Sequence, residues 1–380
     1  MSWFSPRTYS TIGLDIGSDA IKLLQLERRG PLVAVRAACH VSLPQECPRT
    51  GQGFRREHII ARSVREALKQ HRFKGREVVS VLNGDQLRFG SVRVHDWENQ
   101  AQEHLVGRCR AELGFLPGQG HVEYVPAGVV RFGGHVGRQY TAFGATDATL
   151  IRQRAILDDI GLSQVALEPL PCVLYRMWVH QGAQCAAETS MAGASEVPCE
   201  CGPVVLVHVG CEETMIVMAD TESLYWARQV NWGGSELSGR VAEHLRLSQG
   251  NAEFLLRRQF VGNAQGSDEI SRVLGGLVRD KLVELGQEIE WCSTYYCQTF
   301  RGPAPRRVVL SGVEPYVSLM LAQQGQFGQM DVTRPSSIEG IDMEGAGSGL
   351  SDECDTVSEW VVTLGLCLKS LTPVREPALA

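Results

Sequence analysis

The sequence has no apolar run near the roughly 18 uninterrupted residues that a membrane-spanning helix needs. Val204 to Val217 is interrupted by His208, Glu212 and Glu213. The first ten residues hold Trp3, Phe4 and Pro6 but no long apolar core, so no secretory signal is expected there. Charge of one sign is also missing: 37 Lys and Arg stand against 43 Asp and Glu, for a formal net charge of −6 with the signs mixed along the chain. That excludes an electrostatic footprint for nucleic acid, and the basic stretch His71 to Arg76 reads as a solvated face or turn. The C-x2-C knuckle of a structural zinc site is absent too. Cys199, Cys201, His208 and Cys211 are metal-ligand types, yet their spacing is wrong and His208 lies in an apolar strand pattern, which favours loop and core over zinc. The expectation is a cytoplasmic protein without disulfides, whose 12 cysteines are mostly small buried apolar residues.

What is present fits a large folded unit. Hydrophobic residues make up 43% and charged residues 21% of the 380, which is ordinary for a globular chain and enough for two domains or one bilobed body. Ile12 to Leu26 reads as two strands around a Gly-Ser-Asp turn, with a third near Val33 to Val41. Ile59, Ile60, Val64 and Leu68 sit at helical spacing, and Val78 to Leu82 is a short buried strand. A compact α+β stretch follows. Its strands are expected at Leu87 to Val94, Val122 to Pro126 and Tyr140 to Ala145, its helices at Asn99 to Leu113 and Thr149 to Ile160, with Gly161 as C-cap. Gly182 to Pro203 lacks periodicity and reads as an exposed connection. Val204 to Ala219 and Leu224 to Val230 then repeat the opening arrangement. Helices are expected at Ser235 to Leu245 and Asn251 to Gln259, and Ile270, Leu274, Val278, Leu282, Leu285 and Ile289 form one stripe of a long helix. The chain closes with a strand at Arg307 to Leu310, a helix at Glu314 to Gln323, a loose acidic loop over Ser336 to Asp355 and a helix from Val357 to Leu371.

Two glycine turns carry the candidate chemistry. Gly13 and Asp15 precede Gly17, Ser18 and Asp19, a tight turn that can offer backbone N–H groups to phosphate oxygens. A second strand ends at Gly210 and is followed by Thr214, so the two turns are suited to clamp a phosphate chain from opposite sides. Gly233 and Gly234 open a helix, whose N-terminus favours anions.

These pieces resemble the actin-like ATPases, specifically the PilM and FtsA branch. Gly13-Leu14-Asp15-Ile16-Gly17-Ser18 with Lys22 is similar to the first phosphate motif and Val204 to Met218 to the second. Trp232-Gly233-Gly234-Ser235-Glu236-Leu237 looks like the glycine pair before the nucleotide-facing helix. Gln287-Glu288-Ile289-Glu290 with Tyr295-Tyr296 resembles the long helix, Val308 to Gly312 the adenosine motif, and Gly365-Leu366-Cys367-Leu368-Lys369 the closing helix. The Gly114-Phe115-Leu116-Pro117 corner and the helix end Ala155 to Leu162 are similar to that branch's inserted subdomain. The tail Thr372 to Ala380 lacks the amphipathic membrane helix usual in FtsA, and the membrane span of the type II secretion relative is missing, which leaves a free-standing PilM-like member.

The resemblance implies an α/β, actin-like (ribonuclease H-like) fold of two lobes with an inserted, SHS2-like α+β subdomain. The boundaries read as 1–81 with 166–200 for the first lobe, 82–165 for the insert and 201–380 for the second lobe. It also implies ATP and magnesium in the cleft: Asp15 would orient the metal or water, Gly17, Ser18, Lys22, Gly210 and Thr214 would face phosphates, and Gly233, Gly234, Glu253 and Gly312 would complete the site. Three departures point to a degenerate, at most weakly active ATPase. His208 stands where an Asp helps hold Mg²⁺, a cation that prefers oxygen ligands; Val313 replaces a second glycine; and Leu256, beside Arg257, replaces the usual lysine. The partner implied is the N-terminal peptide of a PilN-like inner-membrane protein, docked between first lobe and insert in a type IV pilus assembly complex, with no nucleic acid and no direct membrane insertion. An active ATPase or sugar kinase of the same superfamily, and an FtsA-like cell-division protein, are the rival readings.

Overall fold

The computed structural model describes residues 8–30, 32–44, 47–48, 54–95, 102–191, 202–261, 268–323, 326–335, 338, 340–343 and 356–371. Trp3, Phe4, Pro6, Cys199, Cys201, most of the acidic loop and the tail from Thr372 lie outside them. The chain begins with β1 (Thr8–Tyr9), β2 (Ile12–Ile16), β3 (Ala20–Arg29) and β4 (Leu32–Ser42), then α1 (Phe54–Gln70) and β5 (Glu77–Leu82). Next come β6 (Arg88–His95), α2 (Gln102–Glu112), β7 (His121–Phe132) and β8 (His135–Ala145), followed by α3 (Asp147–Ile160), β9 (Ser163–Pro169) and α4 (Leu170–Met191). The later part holds β10 (Val204–Val209), β11 (Thr214–Ala219), β12 (Leu224–Val230), α5 (Gly234–Leu245), α6 (Gln249–Phe260) and α7 (Asp268–Phe300). It ends with β13 (Arg307–Gly312), α8 (Glu314–Gln323), β14 (Gln326–Phe327), β15 (Met330–Thr333), β16 (Ile341–Asp342) and α9 (Val357–Leu371).

Two large sheets repeat one topology. The first runs β16-β4-β3-β2-β5-β9, with β1 also on β3; the second runs β12-β11-β10-β13-β15-β14. In each, an antiparallel meander of three strands is extended from its first strand by parallel strands, β5 and β9 in one and β13 and β15 in the other. β5 and β10, in the interior of their sheets, are buried along almost their whole length because helices cover both faces. Val205, Val207 and Val209 face α5 to α8. Val204 and Leu206, on the opposite side of the same strand, join Leu24, Leu26, Val173, Leu174, Trp360 and Leu364 in a core shared by both sheets. Ile12, Leu14, Ile21 and Leu23 pack under α1 and α3 on the far side of the first sheet. The order of layers is therefore helices, sheet, α4 with α9, sheet, helices.

The central layer depends on close backbone approach. A Cβ on Gly13 of β2 would lie 2.5 Å from the carbonyl oxygen of Thr363 and 3.0 Å from Cys367 Sγ in α9. Glu168 at the end of β9 is tied to Arg176 of α4 at 2.6 Å and to Lys369 of α9. Burial alone would raise its pKa, but these two cations hold the carboxyl below the ordinary range.

The insert is the antiparallel sheet β6-β8-β7 with α2 on one face, around Val92, Val94, Leu105, Cys109, Phe115 and Tyr140. The sequence-derived boundaries shift in two places. Ile156 and Leu157 put α3 in the first lobe's core rather than the insert's, since its apolar stripe meets α1. The C-terminal segment, read as second lobe, returns to the first: β16 pairs with β4, and α9 packs on β2 and β3. The expected connection from Gly182 is helical as far as Met191. Among the described residues no helix is long and apolar enough to cross a membrane, and the described cysteines are free thiols, most of them buried.

Gly13→Ala would push α9 from β2, a rigid clash of the kind that costs about 2–3 kcal/mol. The expected outcome is a correspondingly lower urea midpoint with an unchanged slope; a midpoint equal to that of the wild type would mean that this approach is not constrained.

Candidate functional site

The two glycine turns face one cavity of about 410 Å³ between the lobes, within the range of small-molecule sites. They are built alike. Gly17 N–H donates to the Ala20 carbonyl at 2.9 Å, and Gly210 N–H to the Glu213 carbonyl at 2.9 Å. In the first sheet Asp15 pairs with Lys22 across β2 and β3, so their side chains share one face. Lys22 Nζ donates to the Glu359 carbonyl at 3.0 Å. From the first turn of α1, Arg56 donates to the carbonyls of Gly17 at 2.8 Å and Ser18 at 3.3 Å, pinning that turn.

Of the residues marked in the sequence, Asp15, Gly17, Ser18, Lys22, Gly210 and Gly312 line this cavity. Gly312 has φ +118°, and a Cβ there would lie 2.1 Å from the Val209 carbonyl oxygen, so the position needs glycine for the turn out of β13. Thr214, Gly233, Gly234 and Glu253 are not among the lining residues. Thr214 is buried and donates its hydroxyl to the Trp232 carbonyl at 3.0 Å. The glycine pair serves packing. A Cβ on Gly233 would meet the Gly210 carbonyl oxygen at 2.5 Å, and one on Gly234 would enter the Tyr316 ring. The N–H groups of Gly234 and Ser235, of the kind that serves an anion at a helix start, donate to the carbonyls of Gly210 and Cys211 at 2.9 and 2.7 Å. Glu253 accepts from Gln249 at 3.1 Å within its own helix.

His208 lines the cavity, its Nδ1 3.1 Å from Ser311 Oγ. Burial, and then the Lys22 charge, push its pKa down to about 3, so it is a neutral imidazole at physiological pH. Burial pushes the Asp15 carboxyl up to about 6, against the pull of Lys22 and with a push from Asp19. Leu256 is in the second lobe's core, whereas Arg257 reaches the cavity and pairs with Glu359 at 3.4 Å.

Arg56 and Glu359 were not marked from sequence. A basic residue in the first turn of α1 opposes the helix dipole, and Glu359 is the one charged residue in the run Val357 to Leu366; both are signals carried by the sequence. The cavity is lined by Lys22, Arg56 and Arg257 but also by Asp15, Asp19, Glu212, Glu213 and Glu359. Among the described residues no group of three or more His, Cys, Asp or Glu is placed to hold a metal ion. The cavity thus sets five carboxylates against three Lys and Arg side chains.

No protein-family model and no curated protein matches the sequence. Among solved structures, the chain is similar to that of a "PilM-PilN type IV pilus biogenesis complex", with a TM-score of 0.73 and 19% identity over 97% of this chain and 100% of that one. The fold is actin-like. The ethanolamine utilization protein EutJ from Carboxydothermus hydrogenoformans shares this actin-like arrangement at a TM-score of 0.51 and 14% identity, over 96% of this chain and 90% of that one.

The depressed His208 pKa has a measurable consequence. An unfolded chain takes up this proton near pH 6.5, the fold only near 3, so stability is lost as pH falls through that window. Asp15 has the opposite sign: its buried charge is unfavourable above about pH 6, and protonation relieves it on the way to about 4. His208→Gln keeps a hydrogen-bonding partner for Ser311 without titrating. Between about pH 7 and 5 its Tm is expected to fall by about 3 °C less than that of the wild type; parallel curves in a pH series of thermal melts would place a charged His208 in the fold.

Proposed function

We propose that this chain is a scaffold of a type IV pilus, or related secretion, assembly platform, and that it docks the N-terminal peptide of a PilN-like inner-membrane protein between its first lobe and its insert. The observation that carries this reading is the likeness along the whole chain, insert included, to a protein solved in a PilM-PilN complex. The cleft supports a scaffold over an enzyme. Its phosphate-facing turns persist, while the metal-facing position holds a neutral imidazole and the amides that open α5 are already used within the protein.

The first lobe and insert provide suitable material for an extended peptide. Among the described residues β9 ends the first sheet and so leaves an edge, of the kind to which a strand can add. Val165 on β9 and Ile151 on α3 are exposed at 55% and 69%, leaving apolar side chains for the peptide's alternate residues. Membrane association in this reading comes through the partner.

Replacing Arg88–Ala145 with a short Gly-Ser linker removes the insert's sheet and spares α3, which belongs to the first lobe's core. With folding confirmed by circular dichroism, fluorescence anisotropy with a labelled N-terminal peptide from a neighbouring single-span protein should show affinity reduced at least about tenfold, or some 1.4 kcal/mol. Undiminished affinity would move the docking site elsewhere and remove the main support for a pilus scaffold.

A further inference from the structure

Glu359 is the residue on which the cleft's charges converge. It sits in the first turn of α9 and is 3% exposed. Its Oε1 accepts the N–H of Glu314, the first residue of α8, at 2.9 Å, and the Arg257 guanidinium at 3.4 Å. Its own carbonyl takes Lys22 Nζ. One residue thus engages two of the cationic side chains that line the cavity and the start of a helix from the second lobe, the very groups that would attract an anion. Its Oε2 is buried and has no hydrogen-bond partner among the described residues. An unpaired carboxylate oxygen is expensive to bury, so simple packing is a poor explanation for a Glu between Ser358 and Trp360.

We propose that Glu359 is a resident anion that excludes nucleotide phosphates from the cleft. The carboxylate takes the Arg257 guanidinium and the Glu314 N–H, two donors that a phosphate would need, and its remaining charge repels phosphate at short range, where few waters screen it. It is fixed in place from behind. Glu314, whose N–H it takes, is bound through its side chain to Ser318, Thr356, Ser358 and Arg334, so α8 and the start of α9 form one polar unit that brings the carboxylate to the cleft. Glu212 and Glu213 add charge of the same sign; they are positioned by Ser235 at 3.0 Å and Gln229 at 2.8 Å. The inference rests on the scaffold reading in one respect, that the cleft is not used for hydrolysis; it adds the residue responsible and makes the exclusion reversible by a single substitution.

The test is calorimetric titration of full-length wild type, Glu359→Gln and Glu359→Ser with ATP and Mg²⁺, and with inorganic pyrophosphate. Glutamine keeps the size and can still accept the Glu314 N–H, while serine removes the group. Both variants are expected to bind at least tenfold more tightly than wild type and to gain a ligand-dependent rise in Tm. Unchanged or weaker binding in a folded variant overturns the proposal. So does a wild-type Kd below about 10 µM for either ligand, an arm that needs no variant to fold. Peptide anisotropy on the same samples separates the two readings: loss of peptide binding in the wild type defeats the scaffold, whereas the nucleotide arm alone decides the role of Glu359.

Discussion

The approach of α9 to β2 at Gly13 is the contact on which the arrangement of the lobes depends. With no Cβ between them, the helix backbone lies close enough to the first sheet for Leu364, Leu366 and Leu368 to be completely enclosed or nearly so, while Trp360 and Val361 reach toward Leu206 of the second sheet within the same core. Interiors are packed like molecular crystals, so a displacement at this layer would be felt in both sheets. The same helix delivers Glu359 to the cleft. Packing and electrostatics of the site are therefore set by one element, and the first turn of α9 cannot move without disturbing Lys22, Arg257 and Glu314 together.

The cleft separates what its backbone requires from what its side chains do. Backbone requirements at Gly17, Gly210 and Gly312 come from strand pairing and tight turning, and they hold whether or not a ligand is present. Side chains answer to different pressures. His208 is neutral and bonded to Ser311 on the adjacent parallel strand, a sound use of a buried imidazole that needs no metal. The glycine pair at the start of α5 is fixed by contact with the Gly210 turn and Tyr316, so its presence in a sequence speaks for packing at least as strongly as for nucleotide.

Much of this architecture was legible because local signals coincide with global ones. The apolar positions of β2, the continuous apolar run of β10, and the stripe on α7 each follow from which faces are covered. The turns at Gly17 and Gly210 were legible for the same reason. What sequence could not give was the destination of the last segment. β16 and α9 cross from the second lobe to the first, and no local pattern states which sheet a buried helix will meet. α4 carries an apolar face to both sheets, so its periodicity is blurred. Leu256 and Arg257 are successive helix positions that point about 100° apart, and only the placement of α6 decides which one meets the cavity.

The insert has a mechanical consequence. Its sheet does more than hang from the first lobe: Thr141 donates to the Tyr225 carbonyl at 3.1 Å, Arg93 to the Tyr295 hydroxyl at 2.9 Å, and Gly128 lies against Phe300. The second lobe is thus joined to the first both through the α4–α9 layer and through the insert, with the cleft between these two attachments. A body attached at one place can swing; a body attached at two is braced like a triangulated frame. Tension applied at the insert would pass along β12 and α7 into the second lobe as well as through β5 and α3 into the first, and the molecule would carry load as a strut instead of yielding as a hinge.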